Sequence, residues 1–186
     1  MQSIMTLYLG GEAFELDPTY SKGNFYKKIP KPKYKFDIQP QEGVRWASSD
    51  NLPLESGSIK SVIYDPPFMF GCHGQTKNNI MNKRFTMYQN LDDLVEHYTR
   101  SIEEFNRILR KGGVLAFKTQ DYTDSVTTMT HCMVYNMAVC CGFKAVDIFI
   151  LLAKQRIWNP KLKQRVARKF HCYVWVFKKV VNINTD

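Results

Sequence analysis

The sharpest chemical feature of the chain is Tyr64-Asp65-Pro66-Pro67-Phe68. It follows Ile59 to Tyr64, a β-branched run that reads as a buried strand. A proline pair cannot continue a ladder, so the strand must end there. In an open α/β sheet, ligands bind at the carboxyl ends of the strands. At this point Asp65 offers a carboxylate acceptor, the Pro66 carbonyl a second acceptor, and Phe68 a flat apolar face, while Pro67 stiffens the turn. Two acceptors and a ring suit an exocyclic amine on a planar base. The amine donates its two hydrogens and the ring packs on the π-system.

The elements that must hold this motif alternate between strand and helix. Phe14–Asp17, Tyr34–Ile38 and Val44–Ala47 are short candidate strands ahead of it. After it, residues 70–90 are polar and Gly/Asn-rich and read as a long loop. The strongest helix spans 91–111, with Leu94, Tyr98, Ile102 and Phe105 on one face, Asn90 as N-cap and Gly112-Gly113 as the stop. The strand 114–117 follows, then a helix over 123–141 ended by Gly142. The apolar strands 146–152 and 172–177 come last. This order predicts a mostly parallel α/β sheet with helices on its faces and an antiparallel pair at one edge. The crossover from Ile63 to Val114 is expected to be right-handed. Asp17 and Tyr34 are only 17 positions apart, and six residues separate Ile38 from Arg45. Parallel neighbours usually need a dozen or more. The first helix is therefore at most two turns and the second is missing, which leaves that face open.

Asp65-Pro66-Pro67-Phe68 resembles the Asp/Asn-Pro-Pro-aromatic signature of S-adenosylmethionine-dependent amino-methyltransferases, which include DNA adenine-N6, DNA cytosine-N4 and RNA base methyltransferases. The likeness runs over about residues 14–179. It implies a Rossmann-like class I methyltransferase fold; the length of 186 residues suits one domain over 1–186, and the short spacings reduce its helices. It implies that Asp17-Pro18-Thr19-Tyr20-Ser21-Lys22-Gly23-Asn24-Phe25 resembles the cofactor loop, with one glycine where the family usually has two. Backbone near Gly23 can approach the methionine part closely because glycine lacks a Cβ, and Asp17 takes the ammonium. Asp37, with Ile38 beside it, lies 20 positions after Asp17, a spacing suited to an acid that binds ribose hydroxyls. Asp50-Asn51 resembles the segment that meets the adenine amine of the cofactor. His171-x-Tyr173-x-Trp175-x-Phe177 resembles the closing strand.

Composition narrows the partners. Lys and Arg number 26 against 17 Asp and Glu, a net charge of +9, which favours a polyanion. No apolar run is long enough to span a membrane, and no signal peptide is read at the N-terminus. Residues 154–169 contain seven basic and no acidic residues: Lys154, Arg156, Lys161, Lys163, Arg165, Arg168 and Lys169. This stretch is the expected phosphate-tracking surface. The loop carrying Lys77, Lys83 and Arg84 is expected to close over the target base. The five cysteines form no CxxC pair, so reduced and mostly buried thiols in a cytoplasmic protein are expected, without a metal site. The leading expectation is methyl transfer to the exocyclic amine of a nucleobase, adenine N6 in DNA first. An RNA base methyltransferase and a catalytically silent nucleic-acid-binding module on the same fold are the alternatives. A monomer or homodimer is expected, and weak sequence specificity or a dimer in particular, because 186 residues leave no room for a separate recognition domain.

Overall fold

The structure, a computed structural model, describes residues 1–71, 86–123, 126–153, 167 and 169–180. In chain order the elements are α1 (Gln2–Tyr8), β1 (Leu16–Asp17), a 3-10 turn (Asn24–Tyr26), β2 (Tyr34–Asp37), β3 (Arg45–Trp46), β4 (Ile59–Tyr64), β5 (Met69–Phe70) and β6 (Thr86–Tyr88). There follow α2 (Leu91–Ile108), β7 (Leu109–Thr119), β8 (Tyr122–Thr123), β9 (Thr127–Thr128), α3 (Thr130–Cys140), β10 (Phe143–Leu152) and β11 (His171–Lys179). Seven strands form one sheet in the order β10-β11-β7-β4-β1-β2-β3. Strand β11 runs antiparallel to both of its neighbours, β7 and β10. The other pairings in this sheet are parallel. The expected antiparallel pair is thus present, with the reversed strand lying one place inside the edge.

Strand alternation divides the core between two faces. Val62 and Tyr64 of β4, Leu115 and Phe117 of β7, and Phe177 of β11 point to the side covered by α2 and α3. Ile63, Val114, Ala116, Val174 and Val176 point to the other side, where Ile4 and Met5 of α1 and Tyr26 close the core. The short α1 is an element that the strand and helix signals did not mark. It covers a face that the truncated crossovers leave thin. Between β1 and β2 there is only the 3-10 turn, and β2 passes to β3 without a helix, as the short spacings require.

Several boundaries differ from expectation. Helix α2 keeps its expected N-cap, the Asn90 side chain accepting from Asp93 N at 2.8 Å. It ends at Ile108, because Leu109 is extended (φ −70, ψ 137) and opens β7. Gly112-Gly113 therefore lies within a strand irregularity and is no helix stop: Ile59 pairs with Leu109, but Ser61 pairs with Val114. A Cβ at Gly113 would sit 2.8 Å from the Arg110 carbonyl oxygen, so the bulge closes only on glycine. The second helix starts at Thr130 because a small hairpin, β8–β9, occupies 122–128. Asp121 then accepts from His131 N at 3.2 Å and serves as that helix's distant cap. Thr86–Tyr88, expected in a loop, pairs in parallel with Met69–Phe70. Of the described cysteines, Cys141 is buried, while Cys132 and Cys140 are exposed free thiols. Helix α3 buries only the Thr130, Val134 and Ala138 stripe, which leaves those two thiols outside it. No helix among the described residues is long and apolar enough to cross a membrane.

Candidate active site

The carboxyl ends of β1, β2 and β4 carry Asp17, Asp37 and Asp65, and hydrogen bonds tie the three together. Asp17 is 5% exposed. Its Oδ1 accepts from Thr19 N (2.8 Å) and Thr19 Oγ1 (3.1 Å), and its Oδ2 accepts from the Tyr26 hydroxyl at 2.5 Å. Thr19 Oγ1 in turn accepts from Asp65 N at 3.0 Å. The chain Asp17–Thr19–Asp65 thus links the first loop to the Pro-Pro turn. Ser21 N donates to Asp37 Oδ2 at 2.8 Å, and Gln39 N to Asp37 Oδ1 at 2.8 Å. The second acid therefore anchors the far side of the same loop.

The loop itself is tightly built. Tyr20 stacks on Tyr26 at 5.2 Å and 15°. Gly23 has φ +66, and a Cβ there would meet the Tyr20 hydroxyl at 2.6 Å. The single glycine is thus required by the Tyr20 ring. Lys22 and Asn24 are exposed, Phe25 half-buried, and Pro18 buried at the turn. Phe25 meets Tyr26 edge-on at 5.6 Å.

Electrostatics single out Asp17. Burial pushes its carboxyl up to about 7, against the bonds from Tyr26 and Thr19, which lower it, and Asp65 adds a smaller upward push. Among the described residues no cation pairs with it. An acid of this kind is suited to a cationic ligand. Burial likewise raises the Tyr26 hydroxyl, which stays protonated and donating.

At the motif, Pro66 is buried, and Asp65, Pro67 and Phe68 are half-buried. The Tyr98 hydroxyl of α2 donates to the Pro67 carbonyl at 2.7 Å. Among the described residues nothing donates to the Pro66 carbonyl, which stays available as an acceptor. Asp65 Oδ1 is met by Lys118 Nζ at 2.6 Å. The strand signal ended at Phe117 and passed over Lys118, although a lone cation at a strand's carboxyl end, beside an acid at the next strand's end, marks it.

Asp50 is turned toward α2: it accepts from the Ser48 hydroxyl and pairs with Arg100 at 3.3 Å. Its neighbour Ser49 is held by Tyr64 (3.0 Å), His97 (3.2 Å) and Ser101 (2.8 Å). The 48–51 segment is therefore fixed from below. Asn51 and Ile38 are exposed. Among the expected nucleic-acid contacts, only Lys169 lies in the described residues, where it is half-buried. Lys77, Lys83, Arg84, Lys154, Arg156, Lys161, Lys163, Arg165 and Arg168 lie outside them.

No protein-family model and no curated protein matches the sequence. Solved structures do resemble it. A 1,6-didemethyltoxoflavin-N1-methyltransferase of Burkholderia thailandensis, with its substrate and S-adenosylhomocysteine bound, aligns at 15% identity over 97% of this chain and 76% of its own, with a TM-score of 0.55. A putative DNA modification methylase of Thermus thermophilus aligns at 13% identity over 82% of this chain and 57% of its own, with a TM-score of 0.53. That methylase is also known in complex with S-adenosyl-L-methionine. The cytosine-N4-specific PvuII DNA methyltransferase aligns at 19% identity over 73% of this chain, with a TM-score of 0.53. The chain spans 57% of the Thermus methylase and 48% of the PvuII enzyme. The fold is the Rossmann-like methyltransferase fold.

Proposed function

We propose that the chain uses S-adenosylmethionine to methylate the exocyclic amine of a nucleobase, with adenine N6 in DNA the first candidate. The observation that supports this reading is the Asp17–Thr19–Asp65 hydrogen-bond chain, which sets a buried acid, unpaired with any cation among the described residues, beside an Asp-Pro-Pro-Phe turn on one sheet rim. The residues present fit the cofactor. Among the described residues no cation pairs with Asp17, which would receive the ammonium, and Asp37 keeps lone pairs that would accept from ribose hydroxyls at the edge of the loop. Asn51, exposed two residues after the fixed Ser49, would meet the adenine amine, while Asp50 is engaged by Arg100. When bound, the cofactor supplies a methyl group on a sulfonium leaving group.

The chain's own contribution is then positioning. Asp65 and the Pro66 carbonyl accept the two amine hydrogens and aim the lone pair, and Phe68 stacks on the base. With the cofactor bound, its sulfonium would supply the methyl group and keep the bonding pair, and Asp65 would pass the proton that the nitrogen loses on to water. In duplex DNA the base must first leave the stack, at about a few kcal/mol. The net charge of +9 supplies the attraction for the phosphate backbone. RNA remains the second substrate class, because unstacked bases avoid that cost. The test is nucleoside mass spectrometry after incubating DNA or RNA with the protein and labelled cofactor. Labelled N6-methyladenine in DNA, lost in Asp65→Ala, is expected. Full labelling by Asp65→Ala refutes the assignment.

A further inference from the structure

Lys118 stands on the rung next to the motif. Tyr64 of β4 pairs with Phe117 of β7, so Asp65 and Lys118 follow side by side at the carboxyl ends of neighbouring parallel strands. Their side chains are 34% and 23% exposed, and Nζ lies 2.6 Å from Oδ1. Burial by itself pulls the lysine's affinity for its proton down, but the Asp65 charge and hydrogen bond outweigh it and hold the ammonium. An ammonium has three donors. Among the described residues the only hydrogen bond of the Lys118 ammonium is to Asp65 Oδ1, and Asp65 Oδ2 receives none. The rim therefore presents, among the described residues, an acceptor and a donor without hydrogen-bond partners next to each other.

That pattern has a chemical complement. On the Watson–Crick edge, adenine and cytosine place an amino donor next to a ring-nitrogen acceptor, whereas guanine and thymine place a carbonyl next to a ring N–H, and the 2-amine of guanine lies beside that same N–H. The geometry points to Asp65 and Lys118 acting together as an acceptor–donor pair that reads the edge of the target base, Asp65 taking an amine hydrogen and Lys118 donating to the adjacent ring nitrogen. This rests on the nucleobase reading above and deepens it. Lys118 becomes a substrate-binding residue. The pair selects adenine and cytosine over guanine and thymine and is indifferent between the first two. Pro66 takes the second amine hydrogen, and the base is held in plane by three contacts. A donor on the ring nitrogen draws electron density from the amine, and the paired carboxylate on the amine hydrogen returns it.

The experiment uses single-stranded oligonucleotides with one adenine or one cytosine, and matched strands in which 1-deazaadenine or 3-deazacytosine removes the ring-nitrogen acceptor. With the wild-type protein, the deaza strand of the methylated base is expected to lose about 10- to 100-fold in kcat/KM, the range of one charge-assisted hydrogen bond. Lys118→Met is expected to show the same loss on the natural base and no further loss on the deaza base. Lys118→Arg, which keeps a donor, retains discrimination between the two strands. S-adenosylhomocysteine binding by calorimetry is expected to be unchanged in both variants. Independent, multiplying losses overturn the inference, as does equal wild-type turnover of natural and deaza strands. That last comparison needs no variant, so it decides even where Lys118→Met fails to fold. Methyl transfer that ignores the ring nitrogen overturns this inference alone. Absence of transfer to any amino base overturns the nucleobase reading as well.

Discussion

Replacing Asp17 by asparagine tests the electrostatic core of the site. The carboxyl ordinarily titrates near 3.8 and is raised to about 7 in the fold. Between those values the native state holds more proton than the unfolded chain, so stability falls as pH rises and levels off above about 7. Each pKa unit corresponds to about 1.36 kcal/mol, so a shift of about three units corresponds to roughly 4 kcal/mol. The amide keeps an oxygen acceptor for Thr19 and presents its nitrogen to Tyr26, whose hydroxyl can accept in turn. The variant therefore preserves the contacts and abolishes the charge. Urea and thermal unfolding of both proteins at pH 4 and pH 8 is the assay. The stability difference between variant and wild type is expected to grow by roughly 4 kcal/mol in the variant's favour across that interval, about 10 °C in Tm for a chain of this size. Because all other titrating groups are shared, they cancel in the difference. Cofactor binding should move the opposite way. The neutral amide offers no charge to an ammonium, and the wild type's gain in affinity as pH rises toward 7 should vanish. A stability difference that stays flat from pH 4 to pH 8 refutes the assignment of a buried, uncompensated carboxylate.

Thr19→Val removes the hydroxyl between Asp17 and Asp65 and leaves Asp65 N without its partner. It is expected to cost about 1–2 kcal/mol in urea unfolding and to lower kcat more than cofactor affinity. Gly23→Ala forces a side chain into φ +66 and a Cβ to 2.6 Å from the Tyr20 hydroxyl, so a loss of about 1–3 kcal/mol and weaker S-adenosylhomocysteine binding by calorimetry are expected. Tyr98→Phe frees the Pro67 carbonyl and should lower stability by about 1 kcal/mol in urea unfolding while loosening the Pro-Pro turn, seen as a lower kcat at unchanged cofactor affinity. Unchanged kcat in both Thr19→Val and Tyr98→Phe speaks against the turn as the reacting centre.

Local patterns made much of this fold readable. A proline pair after a β-branched run marks a strand end wherever it occurs, and apolar residues at helical spacing over 91–108 leave little choice but a helix. The spacing from Asp17 to Tyr34 alone excludes a long crossover helix. Other features were decided only by contacts distant in sequence. Leu109 carries good helical signals, yet pairing with Ile59 draws it into the sheet. Asp121 caps a helix that begins nine residues later, after a hairpin has brought the chain back. Lys118 looks like a solvated residue at the end of an apolar strand until β4 is set beside β7, when it meets Asp65 across 53 residues of chain. Asp50, by sequence a free loop acid, is claimed by Arg100 from the helix beneath it. The physical reason is common to all four cases. Backbone preference and side-chain periodicity act over a few residues and are written along the chain, whereas charge pairing, capping and strand register depend on which segments the packed sheet brings within a few ångströms of each other.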